Sequence, residues 1–193
     1  MPTQAERRAR TRAAVLEAAT ALFSERGYQD TSVADILDAA AVSRGALYHH
    51  FAAKEDVFAA VFLTSSAQAI RRAAERVPSR ATPFEALRLG CLAWIDVVSE
   101  PATARILLDD GPAVLGRQRS RTLEEATSLG VLRRAISAAA DVGEIEVPSV
   151  DLAARLLDAL VAEAARARRA GDGTAREIDD LLSSMLGGLA VTA

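Results

Sequence analysis

Residues 31–56 read TSVADILDAAAVSRGALYHHFAAKED, and the fold is decided there. Val33, Ile36, Leu37 and Ala40 recur at the spacing of one face of a short helix. Ser32 and Asp35 stand three apart at its start, where a hydroxyl and a carboxylate can satisfy free backbone N–H groups reciprocally. After Ala41-Val42, Ser43 can cap a second short helix that carries Leu47 and Phe51 at i, i+4. Two short helices joined by a tight turn have the proportions of a helix-turn-helix. At about 100° per residue, Leu47 and Phe51 turn inward and Gly45 and His49 turn outward. Ala46 and Tyr48 flank that outward face, and Arg44 sits in the first turn, where a long side chain can reach away from the core.

The outward set suits a DNA groove. Glycine permits close backbone approach, alanine can touch a thymine methyl, and arginine can bind guanine through two parallel bonds. Tyr48, His49 and Lys54 can reach phosphates. A metal reading of His49-His50 fails on geometry, because adjacent helical side chains diverge by about 100° and no second ligand cluster accompanies them.

The same periodicity extends outward along the chain. Val15, Ala18, Ala19, Leu22 and Phe23 predict a preceding helix, stopped by Gly27. A longer helix begins near Glu55 and holds Phe58, Val61, Phe62 and Ile70. Residues 77–83 break it, and Thr82-Pro83 with Glu85 starts another that runs to about Ser99. A short helix from Ala102 should end at Asp109-Asp110-Gly111-Pro112, followed by one long helix from about Arg117 to Asp141. Pro148-Ser149 opens a helix to about Ala170, and Thr174 with Glu177 starts a last one ending at Leu186 or Gly187. The expectation is an all-α chain of about nine helices. Its 42 alanines among 193 residues agree, since alanine is the strongest helix former.

Charge needs to be read locally. The chain carries 23 basic and 26 acidic residues, a net −3 that would discourage phosphate binding. Residues 1–54 hold 7 basic and 6 acidic groups, however, and Arg7, Arg8, Arg10 and Arg12 cluster at the start. The deficit therefore belongs to residues 55–193. Cys91 is the only cysteine, which excludes an internal disulfide and a cysteine zinc site and reads as a buried, inert thiol. No apolar run is long enough for a membrane span and no targeting segment is visible, so a soluble, cytoplasmic protein is expected.

Residues 31–56 resemble the signature of TetR-type transcriptional regulators, a pattern reaching from the first helices to the start of the fourth. The resemblance implies an all-α homodimer. Residues 1–54 would form a three-helix helix-turn-helix DNA-binding domain and residues 55–193 a helical ligand-binding and dimerisation domain. Arg44, Gly45, Ala46, Tyr48 and His49 match the recognition helix. Thr31 and Lys54 match positions that touch phosphates, and Ser43 joins this DNA-binding set at the helix start. One departure is Ala41, where the family usually has glycine in the turn; alanine there costs about 1 kcal/mol if a positive φ is required.

The partners implied are a palindromic double-stranded DNA operator, a second copy of the chain and a small-molecule effector that releases a repressor from DNA. No cofactor, metal or membrane partner is expected. Leu156, Leu160, Ala164, Ile178, Leu182 and Met185 on the last two helices are assigned to the dimer interface. All eight aromatic residues lie at or before Trp94, so the pocket is expected around Phe58, Phe62, Phe84, Cys91 and Trp94. Leu107, Leu108, Leu123, Leu132 and Ile136 would supply its aliphatic remainder, with Arg105, Asp109 or Asp110 as polar contacts. An enzyme or ligand carrier that keeps the motif as scaffold would need a nucleophile–base pair, a carboxylate motif or metal spacing, and none is present. A protein-interaction module using the apolar terminal helices is the other rival.

Overall fold

The computed structural model describes residues 3–190. Residues 1–2 and 191–193, which the expected domains include, lie outside the described residues. Helix α1 spans Gln4–Arg26, α2 Val33–Ala40, α3 Arg44–Tyr48, α4 Lys54–Ala74 and α5 Pro83–Val98. A single turn, α6 (Pro101–Ala104), runs into a π-helical segment, Arg105–Asp110. Helices α7 (Gly111–Glu125), α8 (Ser128–Asp141), α9 (Val150–Ala170) and α10 (Ala175–Gly187) complete the fold. Nine of these helices have five residues or more, and beyond an isolated Ile145–Ala190 bridge the described residues form no strand.

Local chemistry explains most of the boundaries. Reciprocal capping boxes open α1 (Thr3 with Glu6), α2 (Ser32 with Asp35), α5 (Thr82 with Glu85) and α10 (Thr174 with Glu177). Ser43 and Ser149 cap α3 and α9 through their hydroxyls. The turn after α2 places Ala41 at φ 51°, ψ 43°, the left-handed region that glycine fills without strain.

Between Asp109 and Asp141 the sequence expectation needs correcting twice. Gly111-Pro112 is not a break, because Pro112 sits in the first turn of α7, where its missing N–H costs nothing. Gly111 is required by packing instead: a Cβ there would stand 2.7 Å from the Phe62 ring and 2.9 Å from the Ile106 carbonyl oxygen. The expected helix Arg117–Asp141 is two helices, parted at Ala126-Thr127. Thr127 turns its hydroxyl back onto the Leu123 carbonyl at 2.8 Å. A further kink falls at Gly116, with φ 68° and ψ 165°.

The chain makes two compact units. One comprises the described residues up to Ser65 with Pro101–Ser120, the other Ser66–Glu100 with the described residues from Arg121 onward. In the first unit α1 packs against α2, α3, α6 and the π segment. Its core is aromatic: Phe23, Tyr28 and Phe58 meet with ring centroids 5.2–5.7 Å apart, two of the three pairs edge to face. In the second unit α5, α8 and α9 pack mutually, with α10 against α5 and α9. Aliphatic and alanine side chains such as Ile95, Val98, Ile136, Ala139 and Ala154 fill its core.

Candidate functional site

The first site is the outer face of α3. Leu47 is completely buried, which fixes the rotation of this five-residue helix; the helix ends at Tyr48 rather than reaching Phe51 as the sequence suggested, and Phe51 is buried just beyond it. Arg44, Gly45, Tyr48 and His49 are thereby exposed and Ala46 is half-buried. Ser43 accepts the Ala46 N–H at 3.2 Å and pins the start. Nothing lies within 4 Å of where a Gly45 Cβ would be, so no neighbour in the fold demands glycine there. The His50 imidazole is held below its ordinary value by partial burial, then by His49, Arg8 and Arg12. The Arg12 guanidinium lies 5.5 Å from the centre of the Phe51 ring, bringing α1 to the residues that follow α3.

Behind that face, Lys54 organises the loop between α1 and α2. Its ammonium donates to the carbonyls of Tyr28 and Thr31, both at 2.9 Å, and sits 3.9 Å over the Tyr28 ring. The Tyr28 phenol is pushed above its usual range by burial and by its bond to Glu55, while the Glu55 carboxyl is pulled down. The same loop is tied to the π segment: Asp110 accepts the Tyr28 N–H at 2.8 Å and Arg105 donates to the Glu25 carbonyl.

The second site is a cavity of about 530 Å³ within the second unit, large enough for a small molecule. Ile70 of α4, Cys91 and Trp94 of α5, Ser128 and Leu132 of α8 and Asp158 of α9 stand on its different walls. Burial, with the nearby Asp158, pushes the Cys91 thiol up to about 12 and leaves it inert. Burial also raises the Asp158 carboxyl, opposed by a Ser128 hydrogen bond and reinforced by Glu125.

Comparison with known proteins assigns both ends of the chain. Residues 15–61 match the bacterial regulatory proteins of the tetR family, and residues 84–189 match the "Tetracyclin repressor-like, C-terminal domain". The chain belongs to the TetR family of transcriptional regulators. A TetR-family regulator from Pectobacterium atrosepticum is 32% identical, aligns over 99% of both chains and superposes with a TM-score of 0.80. The HTH-type transcriptional repressor KstR2 of Mycobacterium tuberculosis is 33% identical over 107 residues, 55% of this chain and 54% of that protein. UidR of Escherichia coli, an HTH-type transcriptional regulator, is 39% identical over 67 residues, 35% of this chain and 34% of its own. The chain thus spans about half the length of the first of these curated relatives and a third of the second.

Within this TetR-type fold the sequence-assigned residues separate. Ser43, Arg44, Gly45, Ala46, Tyr48 and His49 share one surface. Thr31 does not reach it: the residue is fully buried and its hydroxyl donates to the Gly27 carbonyl at 2.8 Å. Lys54 is half-buried and already committed to two carbonyls, so in this structure it supports the loop.

Of the residues assigned to the pocket, Cys91, Trp94 and Leu132 line the cavity, while Phe84, Leu123 and Ile136 do not. Ile136 is core, and Phe84 and Leu123 are half-buried elsewhere in the second unit. Phe58, Phe62, Leu107 and Leu108 are buried in the first unit, where aromatic stacking and the close approach of Gly111 account for the two phenylalanines. Arg105 and Asp110 serve the α1 end, and Asp109 lies on the same π segment.

The dimer set divides too. Leu182 is buried inside its own unit. Leu156 and Met185 are exposed, joined by Leu152 and Leu181, while Leu160, Ala164 and Ile178 are half-buried. Asp158 escaped the sequence reading although a signal existed. It falls on the same helical stripe as Ala154, Val161 and Ala165, and an acid on a buried stripe marks a special environment.

Proposed function

We propose that the chain is a homodimeric repressor that binds a palindromic DNA operator and is released by a small hydrophobic ligand. The observation carrying this reading is the α3 face: Leu47 is buried, and Arg44, Gly45, Tyr48 and His49 are left exposed. Residues 1–54 would supply the DNA-binding role and residues 55–193 the regulatory and dimerising one. Arg44 reads a base edge, while Tyr48, His49 and the α1 arginines meet phosphates.

The four large apolar side chains exposed on α9 and α10, Leu152, Leu156, Leu181 and Met185, support the homodimer, since burying them against a second copy removes them from water. In that dimer two recognition helices enter successive major grooves about 34–36 Å apart. Helix α4 contributes its first residues to one unit and, from Ser66 onward, to the other, and Ile70 near its end lines the cavity. A ligand that prefers a different α4 placement lowers operator affinity by its differential binding to the two states. The name of KstR2, a repressor, favours repression over activation.

Sedimentation and binding to the DNA upstream of its own gene test the proposal together. The expected result is a dimer whose DNA affinity falls steeply with salt. A monomer without DNA affinity would favour the enzyme or carrier reading. A partner-dependent complex without DNA affinity would favour the interaction module.

A further inference from the structure

Accepting the cavity as the effector site, as proposed above, its lining still leaves the chemistry of the effector to be derived. Apart from Asp158, two serines, the inert Cys91 and the indole N–H of Trp94, which is buried without a hydrogen-bond partner, the described residues that line it are apolar, alanine and glycine included, and none is basic. We propose that the cavity takes an amphiphile with an apolar body and a single cationic amine head, held by the Asp158 carboxylate, and rejects the carboxylate of equal length.

The geometry supports this on each wall. Asp158 of α9 lines the same cavity as apolar α4 and α5 side chains and accepts a hydrogen bond from Ser128 of α8. The charged group acting on it is Glu125, and Asp158 in turn raises Glu124 and Cys91. Among the described residues no basic group acts on Asp158 itself. Arg133 bonds Glu125 at 2.6 Å and Asp151 at 2.5 Å, and Arg121 acts on Glu124. An entering anion therefore meets an acid and no cation, with its charge stripped of water. An entering ammonium meets the opposite charge in a poorly solvated place, where a charge-assisted bond is strongest, and it offsets the repulsion among Asp158, Glu124 and Glu125. A neutral alcohol donates one ordinary hydrogen bond and falls between the two.

Trp94 is the only tryptophan in the chain and lines the cavity, so its emission reports occupancy. The test titrates the full chain with decylamine, decanol and decanoate, each below its micelle concentration. Decylamine should bind about tenfold or more tightly than decanol at pH 7.5, and decanoate should not bind measurably. Amine binding should weaken as the pH falls far enough for Asp158 to take up a proton, and decanol binding should stay unchanged. Asp158→Asn should cost the amine about tenfold or more while keeping decanol binding, which also shows that the variant cavity is intact. Decanoate binding as tightly as decylamine, an unchanged amine preference in Asp158→Asn, or no emission change with any of the three would overturn the inference. Release from upstream duplex DNA is read separately by anisotropy. Amine-selective binding without release would overturn the effector reading while leaving the cavity's selectivity standing.

Discussion

The two units of this chain use their buried space differently, and the carboxyl groups that burial raises, Glu124 and Asp158 among them, lie in the second. In the first, Phe23, Tyr28 and Phe58 stack tightly, and Asp35, Glu55 and Asp56 are each held below the usual carboxylate range by hydrogen bonds or by Arg119. In the second, alanines and aliphatic residues surround about 530 Å³ of open space, and burial drives Asp158 and Glu124 upward. On the proposed reading, a surface that reads DNA must present α3 in one orientation, and a closely packed aromatic cluster with hydrogen-bonded acids supports it. A region that accepts a ligand must keep volume and an incompletely compensated polar group in reserve. Rigidity and vacancy are bought by different residue choices.

The largest test of that contrast is a pair of core changes. Phe58→Ala should cost about 3–5 kcal/mol, because it empties a packed aromatic cluster. Ala135→Leu, on the cavity wall, should leave stability unchanged or raise it by up to about 2 kcal/mol while abolishing amphiphile binding. Thermal unfolding separates the two, and equal destabilisation would erase the distinction.

Next comes Lys54→Ala. Losing its two charge-assisted bonds to the Tyr28 and Thr31 carbonyls should destabilise the chain by about 1.5–3 kcal/mol. DNA affinity should fall evenly across sequences, since the loss reaches DNA through loop order. A change in base preference would show that Lys54 leaves its carbonyl partners when DNA binds.

A smaller effect, read as a slope, concerns pH. Asp158 binds its proton more tightly folded than unfolded, so folding takes up protons between the two pKa values. Stability conferred by that proton is present below the ordinary value of 3.8 and is lost as pH rises through the raised folded value. Asp158→Asn should flatten that part of the profile and raise stability at neutral pH, as denaturant midpoints across the range will show. Asp56→Asn in the first unit should do the reverse. Its lowered carboxyl adds stability that is fully present above 3.8 and lost as pH falls through the folded value.

Helix boundaries were legible wherever a cap or a left-handed turn writes them locally, as at Ser32 with Asp35, Thr82 with Glu85 and Gly171. The α3 face was legible because Leu47 alone faces inward on so short a helix, although the helix stops at Tyr48, short of Phe51. The break at Ala126-Thr127 was not, because no proline or glycine marks the point where Thr127 leaves the helical region at φ −127°, ψ −102°. The pocket was least legible. A phenylalanine in the first unit's core and an aromatic cavity wall look alike in sequence, and only the fold sends Phe58 and Phe62 to one and Trp94 to the other. Leu182 and Leu181 make the same point: adjacent leucines on α10 separate into core and surface by a rotation of about 100°.

The smallest expected effect lies in the turn itself. Ala41 occupies φ 51°, so Ala41→Gly should stabilise the first unit by about 0.5–1 kcal/mol without altering DNA preference.

Selection of bound duplexes from a random pool, run in parallel with the natural chain and with Arg44→Ala, tests the central claim most directly. The natural chain should enrich a palindrome with half-sites about 10 base pairs or a multiple apart, and Arg44→Ala should lose affinity and relax the preference at one position in each half-site. Failure of the natural chain to enrich any sequence, or an identical motif and affinity from Arg44→Ala, would contradict the assignment of the α3 face.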